Sequence, residues 1–147
     1  TACTLSPTLA QISMELAGAY RRDRSGQGWV PDEDGSVLQA DGADALRSFR
    51  RTVTFFKNDR IVIEDVYDST LPAVLNLMTD EAPSLTRADR EHFLLSFPGG
   101  GTCRICGALS AEVQSIPLTD PRLRTCWGGQ VCRIRLRTDS RIRLEIS

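Results

Sequence analysis

Strict alternation of apolar and polar side chains is the feature that most limits how this sequence can fold. Across residues 130–137, Val131, Arg133, Arg135 and Arg137 fall on one side, and Cys132, Ile134 and Leu136 fall on the other. A period of two is that of a strand with one face buried. The same period recurs along the chain. Residues 48–57 place Phe49, Val53 and Phe55 on one face, with Arg51 among them. Asn58-Asp59 reads as a two-residue turn, because both residues tolerate positive φ. Residues 60–68 then return with Val62, Glu64 and Val66 opposite Ile61, Ile63, Asp65 and Tyr67. Residues 73–79 set Leu75 and Leu77 against Val74, Asn76 and Met78. Further strands are expected at 11–20 (Ile12, Met14 and Leu16 on one face), 92–97, 102–107, 112–116, 123–127 and 141–146. Pro98-Gly99-Gly100-Gly101 and Gly128-Gly129 serve as turns, and residues 84–90 as a polar connection. The pattern predicts an all-β fold, an antiparallel β-sandwich of about 8–10 strands with almost no helix.

One stretch breaks the rhythm. Residues 21–44 are acidic and glycine-rich, and a single helical turn is expected over 44–47. The segment 21–47 therefore reads as one long polar loop inserted between strands, and loops of that length usually serve a function or lack order. The chain of 147 residues suits a single domain. Its formal charge of −1 gives no long-range field to gather phosphate backbones, so nucleic acid is not an expected partner. No apolar run is long enough for a membrane span, and no membrane partner is expected. The opening Thr1-Ala2-Cys3 shows no leader pattern and reads as a boundary within a longer protein or as a processed end.

The chemistry-bearing residues are few. Five cysteines, Cys3, Cys103, Cys106, Cys126 and Cys132, cannot all pair within one chain. Free thiols in a reducing, cytoplasmic setting are the plainer reading, with a disulfide among the five and a secreted or periplasmic location left open. Cys103 and Cys106 have the CxxC spacing of half a zinc knuckle, but Cys126 and Cys132 do not supply the second half. On a strand, Cys103 and Cys106 would also face opposite sides. No metal and no cofactor is expected. His92 is the only histidine and has no evident nucleophile beside it in the sequence. Glu64 and Asp65 are adjacent on a strand, point to opposite faces and make no acid–base pair. Gly99-Gly100-Gly101 lacks the Lys-Ser/Thr helix start of a phosphate loop. Trp127, before a Gly-Gly turn, is expected to plug one end of the core. The remaining candidate is the row Arg133, Arg135 and Arg137, which could grip an anionic sugar. The plainer alternative is a wet sheet face neutralised by Glu or Asp on a neighbouring strand. No catalytic constellation emerges from these residues.

Two groups of segments resemble heparinase II/III-like polysaccharide lyases. The first is Ile12-Ser13-Met14-Glu15-Leu16-Ala17-Gly18-Ala19-Tyr20, followed by Phe49-Arg50-Arg51-Thr52-Val53-Thr54-Phe55 and Val62-Ile63-Glu64-Asp65. The second is Ile116-Pro117-Leu118-Thr119-Asp120-Pro121-Arg122-Leu123-Arg124, then Trp127-Gly128-Gly129 and Cys132-Arg133-Ile134-Arg135-Leu136. The order is that of the family's C-terminal β region, and the resemblance runs over most of the chain. It implies a parent with an N-terminal α/α toroid that cleaves uronic-acid-containing polysaccharide by β-elimination. In that reading the catalytic Tyr and His come largely from the toroid, and the family's zinc ligands lie upstream of these motifs. Neither a catalytic residue nor a zinc ligand carries over, since no His precedes His92. The stretch 21–44 stands where the family often has a short turn, Gly129 where Asp is common, and Cys132 where Tyr is common. The implied role is a non-catalytic structural or accessory domain whose partners are the toroid and an acidic polysaccharide. A carbohydrate-binding module acting alone is the alternative, and it would need exposed aromatics such as Trp29 or Trp127.

Overall fold

The computed structural model describes residues 1–17, 46–70 and 72–147. In chain order the elements are β1 (Ala2–Leu5), β2 (Leu9–Glu15), β3 (Leu46–Phe56), β4 (Arg60–Ser69), β5 (Ala73–Thr79) and β6 (Ser84–Arg87). They continue with β7 (His92–Ser96), β8 (Thr102–Cys106), β9 (Ser110–Pro117), a helix α1 (Pro121–Trp127), β10 (Gln130–Thr138) and β11 (Arg141–Ile146). Eight strands form one sheet in the order β1-β2-β3-β4-β11-β8-β7-β6, and three form another in the order β5-β10-β9. Every pairing is antiparallel. The architecture is the expected all-β sandwich, with eleven strands among the described residues.

Alternation decides which face of each strand turns inward. Leu144 lies opposite Ile63 on β4 and Ile105 on β8, and Ile105 lies opposite Phe93 on β7. This row meets Ile134 and Leu136 of β10, with Leu75 and Leu77 of β5 packed beside them. Leu95, Ile105, Ile134 and Leu136 are completely buried. Burying a side chain of that size stabilises the fold by roughly 1.5–3 kcal/mol relative to leaving it in water. The tight β3–β4 turn depends on Asn58, whose φ of 62° is a left-handed value that Asn tolerates better than most residues.

Several expectations need correction. Residues 123–127 belong to the helix α1, not to a strand. Asp120 caps it, its side chain accepting the Arg122 N–H at 2.8 Å, and Pro121 follows with φ already set for a helix. Gly128 ends it at φ 77°, its N–H donating to the Arg124 carbonyl at 3.0 Å. Trp127 is consequently 51% exposed and plugs no core. Residues 84–87 form the strand β6 instead of a connection, because the backbone of β7 offers them a partner. Ala2–Leu5 pairs with β2, which its sequence did not announce. The strand expected at 11–20 ends at Glu15, and Leu46 and Arg47 open β3 rather than close a helical turn. The expected loop 21–44, Trp29 and Tyr20 lie outside the described residues.

Candidate functional site

Three places gather the chemically active side chains. The first is the outer face of the three-stranded sheet. Its middle strand, β10, carries Arg133, Arg135 and Arg137 away from the core, while Cys132, Ile134 and Leu136 point into it. On one side β9 sets Gln114, Glu112 and Ser110 opposite the three arginines, and on the other β5 sets Met78, Asn76 and Val74. Arg133 donates twice to the Gln114 side-chain oxygen, at 3.1 and 2.7 Å. The Gln114 amide in turn donates to Glu112 at 2.8 Å. Glu112 is the carboxylate directly across from Arg135, yet the two make no ion pair. Among the described residues the guanidinium groups of Arg135 and Arg137 have no protein partner.

The second place is the outer face of the larger sheet. Here the expected neutralisation does occur: Arg141 and Arg143 donate to Glu64 at 3.2 and 3.0 Å, and Arg143 reaches Glu145 at 3.4 Å. Arg60 pairs with Asp59 and lies 3.3 Å from Glu145. The same face brings together residues that the sequence kept apart. His92 lies directly across from Cys106 in the β7–β8 register, and its Nδ1 is 2.8 Å from the Asp89 carboxylate. That is the chain order of a carboxylate–imidazole–thiol relay. Cys106 and His92 nevertheless share no hydrogen bond, and burial pushes the Cys106 thiol up, away from the thiolate that attacks substrates. The hydrogen bonds from Glu91 and His92 hold the Asp89 carboxyl below its ordinary value. The signal for this juxtaposition was present in the Pro98–Gly101 turn, which fixes the register of the flanking strands.

The third place is on the inner face of the larger sheet, where Asp65 stands across from Ile142. Arg51 donates to both oxygens of Asp65, at 2.7 and 2.6 Å, and Asp65 is only 3% exposed. Tyr67 stands next to them at 6% exposure, in an edge-to-face contact with Phe49 at 6.4 Å between centroids. Burial raises the Tyr67 phenol above its ordinary value.

All five cysteines are free. Cys103 is buried in the core, where desolvation pushes its thiol up to about 11. Cys106 sits on the opposite face of the same strand, so this CxxC does not present two sulfurs to one ion. Among the described residues, no group of three or more His, Cys, Asp or Glu is arranged to hold a metal ion.

No family model matches the chain, and no curated protein matches it. Matches exist among solved structures, and two of them extend over almost all of the chain. One is the crystal structure of heparan sulfate lyase HepC from Pedobacter heparinus, at 9% identity and a TM-score of 0.48, covering 99% of this chain and 20% of that one. The other is a heparinase III gene product, at 13% identity and a TM-score of 0.47, covering 99% of this chain and 21% of that one. The chain thus spans about a fifth of the length of these structures.

Proposed function

We propose that this chain is a non-catalytic accessory β-sandwich domain of a heparinase II/III-like polysaccharide lyase, placed after an N-terminal α/α toroid. The parent enzyme would cleave uronic-acid-containing polysaccharide by β-elimination. Such a reaction needs a base at the proton α to the carboxylate and an acid at the leaving oxygen, both within reach of one sugar ring. The observation that carries the reading is the placement of the candidate groups. His92, the only histidine, faces outward on β7, whereas Tyr67 is buried on the inner face of β4. The two stand on opposite sides of one sheet, with β11 and β8 between their strands, and serve no common substrate. The family-like segments add support from sequence: residues 12–15 of the first group fall on β2 and its later segments on β3 and β4, and the second spans β9, α1 and β10.

The test is an absorbance assay for the unsaturated uronate product on heparin, chondroitin and alginate. No turnover is expected from this chain alone. Sustained turnover would overturn the accessory reading.

The exposed Trp127 favours one second reading, a carbohydrate-binding module that acts alone. Its indole is available for stacking on a sugar ring, at the end of the β9–β10 hairpin. Quenching or enhancement of Trp127 fluorescence on adding neutral oligosaccharide would favour that reading.

A further inference from the structure

We infer that the outer face of the three-stranded sheet binds one strand of an acidic polysaccharide along β10, with Arg135 and Arg137 as its anion-gripping pair. This rests on the reading of the chain as an accessory domain of a polysaccharide lyase, and it names the ligand class and residues of that domain.

The argument begins with a contrast inside the molecule. Both sheets carry arginines on their wet faces. On the larger sheet, Arg104 stands across from Glu145 without an ion pair, but Arg60, Arg141 and Arg143 are matched by Asp59, Glu64 and Glu145. That is the neutral surface expected when charge serves only solubility and register. On the smaller sheet the matching fails. One carboxylate, Glu112, faces three guanidinium groups, and its hydrogen bond goes to Gln114. Gln114 then holds Arg133. Arg133 is therefore a braced member of the row, and among the described residues Arg135 and Arg137 keep their donors unspent.

Spacing and surroundings select the ligand. Alternate residues on one strand stand about 6.8 Å apart, so the row offers regularly spaced cationic forks in a straight line. Each fork suits a bidentate carboxylate or sulfate. A linear chain that repeats such groups can meet successive arginines, whereas a single small anion meets one. The flanking Val74 and Met78, 41% and 53% exposed, give the C–H edges of sugar rings an apolar margin, and Asn76 and Ser110 supply polar partners. Duplex nucleic acid is the poorer match, because it would meet the row with its phosphates and leave the apolar margin of Val74 and Met78 without a partner.

The test uses the whole chain. Oligomers of polygalacturonate (carboxylate only), heparin (carboxylate and sulfate) and dextran (neutral) are titrated at low salt, together with a short DNA duplex. The variants are the double change Arg135→Gln with Arg137→Gln, the control Arg141→Gln, and Glu112→Gln. The expected result is binding to one or both acidic glycans and none to dextran. Affinity should fall tenfold or more in the double variant, stay level in Arg141→Gln and rise in Glu112→Gln. Added salt should weaken it through screening. The two acidic glycans separate carboxylate from sulfate as the gripped group. Thermal melting of each variant excludes unfolding as the cause of a loss. Absence of acidic-glycan binding, equal binding by the double variant, or tighter binding to the duplex would each overturn the inference. Product absorbance read in the same mixtures separates the two proposals: turnover sinks the accessory reading, whereas missing binding without turnover sinks only the Arg135–Arg137 site.

Discussion

The Arg51–Asp65 pair is the most consequential single contact outside the core. Asp65 is buried deeply enough that its charge is tolerable only while both oxygens are occupied by Arg51. Arg51→Ala leaves that carboxylate without the partner and is expected to cost about 3–5 kcal/mol, the usual penalty for breaking a buried ion pair from one side. Chemical denaturation beside the parent protein measures it, and a loss below about 1 kcal/mol would show that water reaches Asp65. Trp127 gives the opposite expectation. Its exposure of 51% means that Trp127→Ala should change stability by no more than about 0.5 kcal/mol, as for an ordinary surface site. A melting temperature lowered by many degrees would restore the core role that its sequence suggested. The Arg51 position on the same face as Phe49, Val53 and Phe55 was legible from alternation alone. Its partner was only half legible, since Asp65 could be assigned to a face but not to a register.

At the scale of elements, period and punctuation carried different amounts of information. Residues 73–79 and 141–146 are bounded correctly because Pro72 and Asp80-Glu81 punctuate the first and Asp139-Ser140 opens the second. The miss at α1 came from reading apolar spacing while ignoring caps: Asp120, Pro121 and Gly128 spell a helix start and stop over only seven residues. The strands β1 and β6, of four residues each, are too short to show a period, and a neighbouring backbone makes them strands. The candidate site was legible as a row, because alternation alone puts Arg133, Arg135 and Arg137 on one face. Its missing counter-charge was not, because that depends on which residues of β9 and β5 stand across from it. Gly107 shows how a junction between elements constrains one residue. It sits at φ 86°, and a Cβ there would lie 2.5 Å from the Arg141 backbone oxygen. Gly107→Ala should therefore destabilise by at least about 1–3 kcal/mol, the cost of a non-glycine residue held in a sparsely populated conformation. A melt indistinguishable from the parent's would mean that the backbone beside Arg141 yields at little cost.

For the whole molecule, the telling feature is the place of β11. It lies between β4 and β8, and it alone joins the β1–β4 ribbon to the β6–β8 ribbon within the larger sheet. The strands β5 to β10 all intervene in sequence between β4 and its partner β11. Pairings so distant along the chain close large loops before they return any favourable contact, which makes folding slow relative to proteins rich in local contacts. Until β11 docks, β4 and β8 present open edges whose inner faces carry Ile61, Ile63, Cys103 and Ile105. Those edges are templates for the wrong partner as well as the right one. The time spent waiting for this strand is thus the interval in which the chain is most exposed to aggregation, and the central position that locks the finished sheet is also what delays it.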